Sequence, residues 1–261
     1  MTRKPNNDLG QQLDWQMSQT LDPPELTAEQ LHIWCLPLTL PDALVAKAIS
    51  LLNDTQRDRY HRRHTPELQQ RYLAGRFHLM NLLSGYDGRD PRAIELSYTR
   101  LNKPYLNPNP LDLRFNFSDT ALGSQAWGLF GFTRGRDVGV DIEFLNRSGD
   151  FEAIAERRMG VAELNYIKTE NAGIDAGRFL SCWTRKEAYG KASGKGINFK
   201  MRELDLATPG QHELQFIDNH EPSNPYSLHQ FYCGDGLIAA AVVSDHRATT
   251  LRAFTLDEAG L

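Results

Sequence analysis

No apolar run in the chain approaches the ~20 residues that a membrane-spanning helix requires. Cysteine is scarce as well. Cys35, Cys182 and Cys233 are odd in number and far apart, so they form neither a disulfide framework nor a metal-ligand spacing, as expected in a reducing compartment. Residues 1–30 are polar and have no apolar h-region, which argues against a secretory signal. Excess positive charge is also missing. A net charge of −4 argues against a dedicated nucleic-acid binder, although a local basic patch remains compatible with it. With 261 residues, 40% hydrophobic and 24% charged, the chain can bury a core as one large domain or two small ones. The expectation is a cytoplasmic protein with no membrane or nucleic-acid partner.

Two stretches carry the chemistry. In Val138–Phe144 the apolar Val138, Val140 and Ile142 alternate with Gly139, Asp141 and Glu143. This period of two predicts a strand with both carboxylates on one face. In Ile174–Ala192 the residues Trp183, Glu187 and Lys191 recur at i, i+4 and i+8, which predicts one stripe of a helix that Gly194 ends. Paired carboxylates repel unless a cation offsets them, and Mg²⁺ prefers oxygen ligands together with water and substrate phosphate. An acid and lysines on a facing helix would add a base and positive charge for a phosphate. The bland readings are an exposed strand edge for Asp141 and Glu143, and an ordinary i, i+4 ion pair for Glu187 and Lys191. Against them, Phe179 and Trp183 continue the charged stripe as an apolar one, Gly139 leaves room for a close ligand, and Gly190 fits the close approach of another group.

The remaining pattern reads as α+β. A polar extension covers residues 1–30. A first half, 31–134, has a strand at Leu31–Leu38 and a helix at Asp42–Leu52. A basic segment with Arg57, Arg59, Arg62 and Arg63 follows, then a helix over Glu67–Ser84 and strands at Ile94–Tyr98, Leu113–Phe117 and Ala126–Thr133. A second half, 135–261, has the strand above, a broken helical region at Phe151–Lys168, the long helix, and strands at Glu203–Ala207, Tyr226–Cys233 and Leu237–Ser244. Each half therefore runs strand, two helices, three strands, an order that suggests two pseudo-symmetric halves with a composite site between them. Taken singly, Glu163, Arg59, Arg71, Lys103 and the Asn116–Thr120 segment read as solvated charges or turns.

In order, Asn102-Lys103-Pro104-Tyr105, Phe115-Asn116-Phe117-Ser118, Gly139-Val140-Asp141-Ile142-Glu143 and Trp183-x-x-Lys186-Glu187-Ala188-x-x-Lys191 resemble the landmarks of the surfactin-type 4′-phosphopantetheinyl transferases. The resemblance extends over about Arg57–Gly196. It implies transfer of phosphopantetheine from coenzyme A to a serine of an apo acyl, peptidyl or aryl carrier protein, with Mg²⁺ as cofactor; a duplicated chain could form its site alone, so a monomer is expected. Asp141, Glu143 and Glu163 match the metal-binding carboxylates. Glu187 matches the general base, and Lys186 and Lys191 match pyrophosphate-contacting lysines. Arg59, Arg71 and Lys103 fall where the family holds the nucleotide and its 3′-phosphate, and Ser118 at a phosphate contact. Asp119 departs from the pattern, because the family often has histidine there and an acid would repel a bare pyrophosphate. Two alternatives remain open here: an Mg²⁺-dependent phosphohydrolase using water, and a catalytically weak binder of carrier proteins or nucleotides with the same fold.

Overall fold

A computed structural model describes residues 9–171, 173–196, 201–204, 206, 226–234, 236–245 and 248–257. The chain begins with strands β1 (Trp15–Ser18) and β2 (Gln30–Pro37), then α1 (Asp42–Ser50), α2 (Asp54–His61) and α3 (Pro66–Asp87). Strands β3 (Leu96–Tyr98), β4 (Pro104–Leu106), β5 (Leu113–Leu122), β6 (Gln125–Arg134) and β7 (Val138–Phe144) follow. Helices α4 (Phe151–Arg158), α5 (Val161–Ile167) and α6 (Ala176–Ala192) precede β8 (Tyr226–Tyr232), β9 (Leu237–Ser244) and β10 (Thr250–Leu256). The class is α+β, as the sequence implied.

These elements form two compact units. One comprises Asp14–Thr99, Pro104–Gly135 and Thr250–Leu261. Its five-stranded sheet runs β1-β10-β2-β6-β5, parallel across β1, β10 and β2, and antiparallel from β2 through β5. Local chemistry sets its helix ends. Asn53 and Gln56 cap α2 reciprocally, while Thr65 Oγ1 accepts from Leu68 N at 3.3 Å at the head of α3, where Pro66 is the first helical residue. Gly88, at φ 83°, ends α3 in the left-handed conformation that glycine adopts most easily. The core joins Trp34, Leu36, Phe77, Leu82, Phe130 and Phe132. β2 is buried almost end to end, which accounts for its unbroken apolar run.

The other unit comprises Met1–Leu13, Arg100–Lys103 and Arg136–Thr249. Its sheet runs β7-β9-β8, antiparallel throughout, with α6 packed on it. Apolar clusters around Phe179, Leu180 and Ile238, and around Tyr189, Leu228 and Val242, fill its interior.

Part of the pairing order is shared by the two units. In one, β2 is followed by α1–α3, the β3-β4 hairpin and the β5-β6 hairpin, and β2 pairs with β6; in the other, among the described residues, β7 is followed by α4–α6 and the β8-β9 hairpin, and β7 pairs with β9. This gives β2-β6-β5 in one unit and β7-β9-β8 in the other. The units do not follow the expected bounds of 31–134 and 135–261, since Thr250–Leu261 belongs with the first and Arg100–Lys103 with the second.

Some details depart from the sequence reading. Trp15–Ser18 is a strand where a loose extension was expected, and Thr250–Leu256 is a strand where none was predicted, paired with β1 and β2 rather than with the neighbouring β9. Residues 1–8 lie outside the described residues, as do 205 and 207 of the strand expected at Glu203–Ala207, and Met201–Glu203 forms a 3-10 turn instead.

Candidate active site

Every residue of β7 is buried, and Gly139, Asp141 and Glu143 project from the face that α6 covers. Gly139 explains how close the helix comes. A Cβ there would stand 2.1 Å from the Ala188 carbonyl oxygen and 2.3 Å from the Ala192 nitrogen. The space expected beside Gly139 for a ligand is thus filled by the helix backbone. The glycine sets the distance between the two motifs instead.

From α6 the stripe predicted by spacing does face β7. Lys191 Nζ donates to Asp141 Oδ1 at 2.7 Å and to the Val140 carbonyl at 3.0 Å. One turn earlier, Glu187 Oε1 is buried and has no hydrogen-bond partner among the described residues. Burial raises the Glu187 carboxyl above its ordinary range, and Asp141 adds to the rise. Lys191 and Arg158 oppose it, and Glu143 adds a smaller like-charge contribution. Arg147 Nη1 reaches both oxygens of Glu143 at 2.7 Å from the turn that follows β7. Trp183 stacks on Phe179 with ring centroids 6.1 Å apart and anchors the apolar end of the stripe. Asp141, Glu143 and Glu187 therefore share one electrostatic environment, edged by Lys191, Arg147 and Arg158.

Glu163 and Lys186 sit in a different setting. Both side chains are fully buried, 2.8 Å apart, as a closed ion pair. Glu163 Oε2 also accepts from Gly160 N at 2.7 Å, and its Oε1 accepts from Leu206 N at 3.0 Å. Lys186 Nζ donates to the carbonyls of Met201 and Leu204. The observed contacts group these residues differently from the sequence expectation. Each oxygen of Glu163 is engaged in the interior, so Glu163 is not placed to join Asp141 and Glu143 around a cation. Lys186, with no exposed surface, is not placed to meet a pyrophosphate. Helix periodicity separates neighbours by about 100°, so Lys186 and Glu187 serve different faces. Beside the pair, Arg185 donates to Gln230 and, at 2.7 Å, to the Leu206 carbonyl, while Gln230 Nε2 donates to Ser181 O at 3.0 Å.

Lys103 Nζ donates to the Ala192 carbonyl at 3.0 Å, at the C-terminal end of α6 where a cation is favoured, and lies 3.7 Å from Asp137. The remaining candidates belong to the five-stranded unit. Arg71 forms an ion pair with Asp119, so the acid that seemed out of place has a cation beside it. Ser118 is buried on β5, whereas Asp119 is exposed. Successive strand residues face opposite sides, so the two do not present one surface to one phosphate. The Arg59 guanidinium lies over the Tyr98 ring, 5.9 Å from its centroid.

Sequence reasoning had not singled out Arg147, Arg158, Arg185 or Gln230. Only Arg147 carried a signal, its position four residues after Glu143. Among the described residues, no three or more histidine, cysteine or acidic side chains are already grouped tightly enough to hold a metal. The donor chemistry nevertheless suits Mg²⁺. Asp141 and Glu143 are hard oxygen donors facing the same helix, and Mg²⁺ commonly uses only one or two carboxylates, completing its shell with water and phosphate.

Among the described residues, no helix is long and apolar enough to cross a membrane. Residues 137–249 match the family model described as the 4′-phosphopantetheinyl transferase superfamily. The chain is 29% identical over 226 residues to a protein named 4′-phosphopantetheinyl transferase HetI from Nostoc sp., covering 85% of this chain and 92% of that one. It is 26% identical over 189 residues to a phosphopantetheinyl transferase of Thraustochytrium sp., covering 68% and 64% of the two chains. A shorter match, 33% over 99 residues, links it to the 4′-phosphopantetheinyl transferase psf-1 of Bacillus pumilus, covering 36% of this chain and 42% of that one. The segment that carries β7 and α6, with the acid and lysine geometry described above, is thus the part of the chain that is similar to the 4′-phosphopantetheinyl transferase superfamily.

Proposed function

We propose that this protein transfers 4′-phosphopantetheine from coenzyme A to a serine of an apo carrier protein, as an enzyme of the surfactin type. The observation that carries this reading is the contact of Lys191 with Asp141 beside the buried Glu187, all within the segment that matches the superfamily. The Nostoc and Thraustochytrium relatives, named as transferases of this group, cover most of the chain and add support.

The chemistry follows from the side chains. A bond forms between the carrier serine oxygen and the phosphorus bearing pantetheine. The pyrophosphate P–O bond breaks, and its electron pair leaves on adenosine 3′,5′-bisphosphate. Glu187 accepts the serine proton. Its environment raises its pKa, which makes the carboxylate a stronger base than an exposed glutamate. Lys191, already at the carboxylate cluster, sets a positive charge against the leaving phosphate. Asp141 and Glu143 would hold Mg²⁺, which when bound would offset the negative charge of the pyrophosphate. The nucleophile belongs to the partner, so the reaction needs no activated serine or cysteine in this chain.

The test is intact-mass analysis of a panel of apo acyl, peptidyl and aryl carriers incubated with coenzyme A, Mg²⁺ and the protein. The expected result is a carrier heavier by one phosphopantetheine group, formed together with adenosine 3′,5′-bisphosphate. Phosphopantetheine released into solution without any carrier would identify a phosphohydrolase and reject the transfer.

A further inference from the structure

We infer that Glu163 and Lys186 are a positioning pair: a buried charge latch that fastens the backbone of Met201, Leu204 and Leu206 to α5 and α6 and sets the rotation of α6, so that Glu187 and Lys191 meet β7. The latch stands on observed contacts. Its role in catalysis rests on the transfer reading above.

Four attachments converge on a few residues. Lys186 takes the carbonyls of Met201 and Leu204, Arg185 takes that of Leu206, and Glu163 takes the Leu206 amide. Met201, Leu204 and Leu206 are buried, so these backbone groups have no solvent to turn to. Glu163 also accepts from Gly160 N, at the N-terminus of α5. One carboxylate thus ties the start of α5, the backbone of Leu206 and α6 together. The result is a constraint on α6. Its Lys186 face is held by this latch, its Arg185 and Ser181 side by Gln230 of β8, and its approach to β7 by Gly139. The stripe of Glu187 and Lys191 is the face left to chemistry.

Buried ion pairs add little net stability compared with apolar replacements, but losing one partner strands a charge in the interior, and their best-attested use is to fix a register. The two losses are not equivalent here. Among the described residues, Glu163 is the carboxylate that pairs with Lys186 and also acts on Arg185, so its loss removes an anion from both buried cations. Without Lys186, Glu163 still has Arg185 nearby.

The experiment compares full-length Glu163→Gln, Lys186→Met and the double variant. Four quantities are read: the thermal unfolding midpoint, hydrogen exchange of the Leu206 amide, Mn²⁺ binding without coenzyme A, and single-turnover carrier modification. We expect Glu163→Gln to lower the midpoint by roughly 6 °C or more. Lys186→Met should lower it less, and both should speed Leu206 exchange at least tenfold. Mn²⁺ affinity should stay within twofold in all three variants. The double variant should regain at least half of the midpoint and of the transfer rate lost by Glu163→Gln, because removing both charges leaves none stranded.

A tenfold loss of Mn²⁺ affinity in Glu163→Gln, with wild-type midpoint and exchange, would overturn the inference by making Glu163 a metal ligand. A double variant as impaired as the two single losses combined would overturn it as well. If wild-type protein modifies no carrier, the transfer reading fails. The latch would still be decided by the midpoint, exchange and Mn²⁺ measurements.

Discussion

Replacing Gly139 by alanine is the sharpest test of how β7 and α6 are joined. The added Cβ would stand 2.1 Å from the Ala188 carbonyl oxygen, 2.3 Å from the Ala192 nitrogen and 2.9 Å from the Lys191 carbonyl carbon. All three are backbone atoms of one helix, so no side chain can rotate away to make room. Real Cβ atoms essentially never approach closer than 3.0 Å, so α6 must move off by about 1 Å at its C-terminal end. Overpacking of this kind costs about 1–3 kcal/mol, which for a protein of this size lowers the unfolding midpoint by roughly 2–12 °C. The same displacement stretches the 2.7 Å contact from Lys191 to Asp141 beyond hydrogen-bond range. The site should therefore lose more than stability. In urea unfolding followed by circular dichroism we expect a lower midpoint with an unchanged slope. At a temperature where the variant is fully folded we expect carrier modification to fall at least tenfold. Gly139→Ala protein with wild-type stability and wild-type transfer would refute this view of the motif, since it would mean that the helix and strand are not in contact at that residue.

Other outcomes follow from individual side chains. Glu187→Gln should slow single-turnover transfer by about 10²–10⁴-fold while changing coenzyme A affinity little. The wild-type rate should rise with pH through a group above the ordinary carboxylate range, because burial and Asp141 raise the Glu187 carboxyl; a flat profile removes Glu187 as the base. Asp119→Ala frees Arg71 from its ion pair and should tighten coenzyme A several-fold in calorimetry without changing the Mg²⁺ requirement; weaker binding would show that Asp119 itself aids the ligand. Acid should destabilise the fold through three buried histidines. The pKa of His32 is lowered to about 3, and those of His78 and His229 to about 4, all chiefly by desolvation. The unfolded chain binds protons at these sites where the folded chain does not. Their stability contribution is therefore complete above the unfolded value near 6.5 and is lost as pH falls from there toward 4. Between pH 7 and pH 5 each should cost about 2 kcal/mol. Urea midpoints across that range check this, and a His78→Gln variant with the same pH slope would contradict the assignment.

Much of the site was legible because periodicity is local. The alternation in Val138–Phe144 placed both carboxylates on one face, and the spacing of Trp183, Glu187 and Lys191 identified the face of α6 turned toward them. Which acids meet is a tertiary fact. Glu163 and Glu187 look alike as charged helical residues, yet one faces the interior latch and the other faces Asp141, and only the packing of α5 and of Met201, Leu204 and Leu206 separates them. The burial of Lys186 was not legible for the same reason, since a lysine is expected at the surface until a buried carboxylate and two carbonyls are shown to receive it. The Arg71–Asp119 pair spans 48 positions and leaves no local trace. β10 was invisible because Thr250–Leu256 mixes arginine and threonine with its apolar residues. Its partners are β1 and β2, at the far end of the chain.

The central claim is that Asp141 and Glu187 serve carrier modification, and one measurement addresses it most directly. Wild-type, Asp141→Asn and Glu187→Gln proteins, each shown to be folded, are incubated with coenzyme A, Mg²⁺ and an apo carrier that the wild type modifies, and carrier mass is followed with time. We expect a complete mass shift with the wild type, abolished by Asp141→Asn and by EDTA, and slowed at least 10²-fold by Glu187→Gln. Equal rates for the three proteins would contradict it.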